Sequence, residues 1–109
     1  MNDNSLLLVF SNVPDRGLAK QLAAQIIAAK LAGCVNISAD ILSVYNWDGQ
    51  LQTENEVQLM IKTTQACYTR LEAMIRSQHP YELPEIIAIP IVTGLPAYLD
   101  WVRKETETP

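Results

Sequence analysis

The only histidine of the chain, His79, lies in a polar loop framed by prolines, His79-Pro80-Tyr81-Glu82-Leu83-Pro84-Glu85. An imidazole beside a phenol and several carboxylates offers the donor types that ligate a metal ion or carry a proton. His79 is therefore the candidate metal ligand, although a histidine in this place can also simply cap the carbonyls of a preceding helix. A second group is Gln52, Glu54, Glu56, Gln58 and Lys62, which alternate onto one face of an extended segment. Such a face either lines a polar cleft or meets solvent. Two carboxylates at this spacing repel unless a cation such as Lys62 stands near them. Trp47 can stack on a ligand or cover a subunit seam. Lys62, Tyr81, Glu85 and Trp47 complete the candidate cleft around His79.

Other chemistry is thinly represented. Cys34 and Cys67 form no CxxC pair; each reads as a reduced thiol, which suits a cytoplasmic protein better than a disulfide scaffold. No phosphate-cradling, nucleophile-elbow or HExxH motif is present, so a catalytic site has no support. Net charge is −4, with 8 basic and 12 acidic side chains and no Lys/Arg run, which argues against a nucleic-acid partner. The apolar runs are far shorter than the ~20 residues of a membrane span. The start, Met1-Asn2-Asp3-Asn4-Ser5, lacks the pattern of a secretory signal. The expectation is a cytoplasmic protein without membrane contact.

The elements that must position these groups follow from periodicity. At 109 residues with 49% apolar side chains, the chain suits one domain, 1–109, with an ordered core of about 6–102. Leu6-Leu7-Leu8-Val9-Phe10 reads as a buried strand. Pro14-Asp15 opens a helix whose Leu18, Leu22, Ile26 and Ala29 share a stripe, widened by Ala19, Ala23 and Ile27, with Gly33 placed to stop it. Extended segments at about 34–47 and 50–63 follow. Thr63-Thr64 is set to cap a second helix carrying Cys67, Leu71, Met74 and Ile75, which His79-Pro80 ends. Glu85 to Ile89 is a further strand, and Pro90 marks its end or an edge. Pro96 starts a short last helix through Trp101 and Val102, and the tail from Arg103 is expected to fray.

The two central segments form a hairpin with a parity problem. Apolar residues occupy odd positions in both: Val35, Ile37, Ala39, Ile41, Tyr45 and Trp47 in the first, Leu51, Val57, Leu59 and Ile61 in the second. Facing residues share one side of a sheet, so odd must pair with odd. A two-residue Asp48-Gly49 loop would pair Trp47 with Gln50 and mismatch the faces. A three-residue loop, Trp47-Asp48-Gly49, pairs Tyr45 with Leu51, Ala39 with Val57, Ile37 with Leu59 and Val35 with Ile61. A bulge elsewhere in the hairpin would serve equally. Fourteen extended residues reach roughly 46 Å, more than a compact domain of this size can cover. The far end, with Leu42, Val44, Tyr45, Trp47 and Leu51, is nonetheless apolar, which implies a partner copy and a closed oligomer.

Strand, helix, strand, strand, helix, strand, short helix is an α+β order of the ferredoxin-like βαββαβ type, here with a long central hairpin. Over about residues 6–102 the chain resembles the CutA family of divalent-cation tolerance proteins. The resemblance rests on Pro14-Asp15, Leu31-Ala32-Gly33-Cys34-Val35-Asn36, Tyr45-Asn46-Trp47-Asp48-Gly49, Glu54-Asn55-Glu56-Val57, Ile61-Lys62-Thr63-Thr64 and, most specifically, His79-Pro80-Tyr81-Glu82-Leu83-Pro84-Glu85-Ile86.

The resemblance implies a non-enzymatic homotrimer of PII-like architecture involved in tolerance of copper or another divalent cation. It also implies a copper site at positions that hold Ser11, Gln78 and His79 here. Only His79 keeps a copper-binding side chain, since a hydroxyl and an amide are poor copper ligands beside thiolate and imidazole. If copper binds, His79 is the anchor. The alternative expectation is a PII-like small-ligand or signalling module whose inter-subunit cleft takes an anionic or small organic ligand on Lys62, near Trp47 or Tyr81. An acid–base pair of His79 and Glu85 is the remaining reading.

Overall fold

The structure is a computed structural model that describes residues 2–107. Strand β1 (Leu6–Val13), helix α1 (Arg16–Ala28), strands β2 (Cys34–Trp47) and β3 (Gln50–Thr64), helix α2 (Tyr68–Gln78), strand β4 (Ile86–Pro90) and helix α3 (Pro96–Glu105) follow in order, with one 3₁₀ turn at Gln65–Cys67. The sheet order is β2-β3-β1-β4, and every neighbouring pair is antiparallel. This is the ferredoxin-like topology expected from the element order.

The sheet has two unlike faces. Odd residues of β1 and β3 (Leu7, Val9 and Val13; Val57, Leu59 and Ile61) point one way and are buried with Ala19, Leu22 and Ile26 of α1 and Leu71 and Ile75 of α2. Even residues of β1 and β3 face away from these helices. There Phe10 sits opposite Met60 on one side and Ile87 on the other, and Ile87 and Ile89 remain half exposed.

Helix α1 begins where Asp15 accepts a 2.8 Å bond from the Leu18 amide, satisfying one free N–H of the first turn. It ends earlier than Gly33. Lys30 takes the left-handed conformation (φ 58°), and the Leu31 amide reaches back to the Ile26 carbonyl at 3.1 Å. Gly33 has another role, because a Cβ there would lie 3.0 Å from the Val102 Cα. Its missing side chain lets α3 press onto the start of β2. Ile27, expected on the buried stripe, is exposed.

Thr64 makes no side-chain cap, and α2 starts only after the 3₁₀ turn. Thr63 instead donates a buried 2.6 Å bond to the Leu31 carbonyl. Cys67 belongs to that turn rather than to the helix and is buried. The tail holds longer than expected. Helix α3 continues to Glu105, Arg103 bonds the Asn4 carbonyl at 2.9 Å, and buried Thr106 bonds the Val102 carbonyl at 3.0 Å.

The hairpin departs from the three-residue loop. Trp47 pairs with Gln50 across a two-residue Asp48-Gly49 turn, with φ of 52° and 77°, the type I′ geometry that Asp-Gly suits. Parity is restored by a bulge: Ile37 pairs with Leu59 but Asp40 with Val57, so Ser38 and Ala39 together oppose one residue. Val35–Ile61 and Ile37–Leu59 pair as expected. Beyond the bulge Tyr45 faces Gln52 and not Leu51, and Ala39 does not pair with Val57. Ile41, Tyr45 and Trp47 thus share the face of Glu54 and Glu56, away from α1 and α2. Leu42 and Val44 take the helix-side face with Leu51, but beyond the reach of either helix they stay 64%, 60% and 71% exposed. The hairpin sets the long axis of the molecule, 44 × 26 × 24 Å.

Candidate functional site

The bulge decides which side chains meet. By turning Tyr45 and Trp47 onto the even-numbered face of β3, it lays two aromatic rings beside Gln52, Glu54 and Glu56. Opposite them lies the loop from Tyr81 to Glu85, carried around the end of β1. Between hairpin and loop is a cleft of about 610 Å³ whose walls include Asn12, Tyr45, Trp47, Glu54, Glu56, Tyr81, Glu82 and Glu85. That volume lies within the range of small-molecule sites.

His79 fixes the loop. Its ring is buried; Nε2 lies 2.6 Å from the Asn12 carbonyl, and Nδ1 accepts the Tyr81 amide at 3.1 Å. A carbonyl can only accept and an amide N–H can only donate, so the neutral tautomer with hydrogen on Nε2 satisfies both. The rings of His79 and Tyr81 pack with centroids 4.7 Å apart. The His79 amide also donates to the Ile75 carbonyl, closing α2. The imidazole itself does not cap the helix. It ties β1 to the loop.

The cleft's charge is one-sided. Four carboxylates line it and no Lys or Arg does. Glu56 is only 6% exposed, and the one ion pair among the described residues, Arg103 with Asp100, lies elsewhere. Burial pushes the Tyr81 hydroxyl up to about 12, helped by the facing Glu56 carboxylate and by Tyr45 and Glu54. Tyr45 is also pushed above the ordinary phenol value, by desolvation and then by Glu54 and Glu56. Phenols beside carboxylates stay protonated because a second negative charge is unfavourable there.

Of the residues expected to form a cleft, Trp47, Tyr81 and Glu85 come together, and His79 lies behind them as the loop's anchor. Lys62 is not among the lining residues. It pairs with Leu8 and Cys34, its Nζ 4.0 Å from Cys34 Sγ, six residues and about 20 Å of strand beyond Glu56. Asn12, which contributes only a carbonyl to His79, carries no sequence signal for that part. Tyr45 was legible as an apolar position but not as a cleft wall, because the bulge changed its face.

The positions implied for copper do not assemble a copper-binding set within one chain. Ser11 Oγ is fully buried in the helix-side layer without a hydrogen-bond partner. Both His79 nitrogens are engaged, and Gln78 offers an amide, so no soft donor is present. Among the described residues no group of three or more His, Cys, Asp or Glu side chains stands close enough to hold a metal ion.

Comparison with known proteins places this architecture. The sequence profile of the CutA1 divalent ion tolerance protein matches residues 7–105. The chain belongs to the CutA1 family. The divalent-cation tolerance protein CutA of Thermus thermophilus is 37% identical over 99 residues, covering 91% of this chain and 96% of its own. The mouse protein CutA is 39% identical over 104 residues, covering 95% of this chain but 59% of its own length; the chain thus spans about three fifths of that relative. The crystal structure of CutA1 from Oryza sativa superposes with a TM-score of 0.92 at 40% identity, covering 96% of both chains. The CutA1 fold is therefore shared in both sequence and shape. No helix among the described residues is long and apolar enough to cross a membrane.

Proposed function

We propose that this protein is a non-enzymatic homotrimer that takes part in the cytoplasmic response to divalent metal ions, copper among them, by binding and not by catalysis. The observation that carries the assembly is the pair of uncovered apolar surfaces on a chain that otherwise has a buried core. Leu42, Val44 and Leu51 lie on one face of the hairpin's outer half, and Ile87 and Ile89 beside Phe10 lie on the opposite face of the sheet. Patches of this kind mark association surfaces, and closed symmetry is the usual outcome. The count of three and the metal role follow the family. The cytoplasmic setting rests on Cys34 and Cys67, both unpaired.

A divalent ion would find carboxylates in the cleft of each chain, where subunit contacts can complete its shell. Two measurements test this. Light scattering should give three times the 12.2 kDa chain mass, and a stable folded monomer refutes the assembly. Calorimetry with Cu(II) and Zn(II) should show binding tighter than about 100 µM, a ΔG near −5.5 kcal/mol; weaker binding refutes direct metal sensing.

A second reading is favoured by one specific observation. The cleft has aromatic walls and no compact metal-ligand group. That describes a small-ligand module better than an ion site.

A further inference from the structure

We draw no further inference here: the strongest candidate, the small pocket between the residues ahead of β1, the 3₁₀ turn and the end of α3, sets Arg70 and Arg103 against Asp3 and Glu107 around one buried thiol, Cys67, and nothing else among the described residues points to a ligand there.

Discussion

Replacing His79 distinguishes a structural knot from a metal ligand. In His79→Ala the Asn12 carbonyl and the Tyr81 amide both lose their partners, at 2.6 and 3.1 Å respectively. A backbone group left unsatisfied in a buried place costs about 1–3 kcal/mol. Loss of the ring contact with Tyr81, 4.7 Å between centroids, adds about 0.5–1.5 kcal/mol. The Tyr81 end lies beside an open cleft where water can replace the lost acceptor, so the Asn12 carbonyl and the ring contact make up the loss, about 1.5–4.5 kcal/mol in all. That is a large share of the 5–15 kcal/mol typical of a domain. The assay is urea unfolding followed by circular dichroism, with protomer concentration held fixed because assembly feeds into apparent stability. Two further variants divide the loss. Asn places an acceptor where Nδ1 stood and should retain the Tyr81 bond; Gln places a donor near Nε2 and should retain the Asn12 bond. Each should recover part of the deficit. Any divalent-metal affinity of the parent protein should survive in His79→Asn once the fold is intact. A His79→Ala protein of unchanged stability that has lost metal binding would refute this reasoning and restore the histidine as a ligand.

Three other outcomes follow from the structure. Tyr81 is held neutral up to about 12 against an ordinary 10.0. The folded state therefore binds this proton more tightly, and the associated stability is complete below pH 10 and lost as pH rises through about 12; the phenolate absorbance of Tyr81→Phe should lose a tyrosine step near pH 12, and an unchanged profile contradicts the burial of the Tyr81 hydroxyl against Glu56. Ser11→Ala removes a buried hydroxyl without a partner, so it should be neutral or stabilising by up to about 1 kcal/mol; chemical denaturation showing a loss larger than that contradicts the orphaned hydroxyl. Gly33→Ala drives a methyl to within 3.0 Å of the Val102 backbone and should cost about 1–3 kcal/mol through displacement of α3, which a thermal melt reads directly.

The candidate site was half legible from residue order. Trp47, Tyr81 and Glu85 were identifiable as a set because each is a polar or aromatic group next to a chain reversal, where side chains escape the core. Lys62 shares the face of Glu54 and Glu56; strand alternation gives the face but not the distance, and within one chain about 20 Å of strand separate it from Glu56. The pairing of His79 with the Asn12 carbonyl joins residues 67 positions apart, and a backbone acceptor leaves no trace in side-chain types.

The hairpin shows best where the information lies. Alternation alone determined that its two strands could not pair through a tight Asp48-Gly49 turn without one extra residue somewhere, because a side-chain period of two admits no other repair. Its length alone determined that the outer half would stand clear of the helices. Only the tertiary structure decided that the repair sits at Ser38 and Ala39 and not at the tip. The bulge is held by groups far away in the chain: Arg16 of α1 donates to the Ser38 carbonyl at 2.7 Å, and the Gln58 amide donates to Ser38 Oγ at 2.8 Å. At the tip Asp48 and Gly49 accept positive φ readily, so nothing there opposes the two-residue turn. The position of that one residue sets the face on which Tyr45 and Trp47 emerge, and with it the existence of an acidic, aromatic cleft.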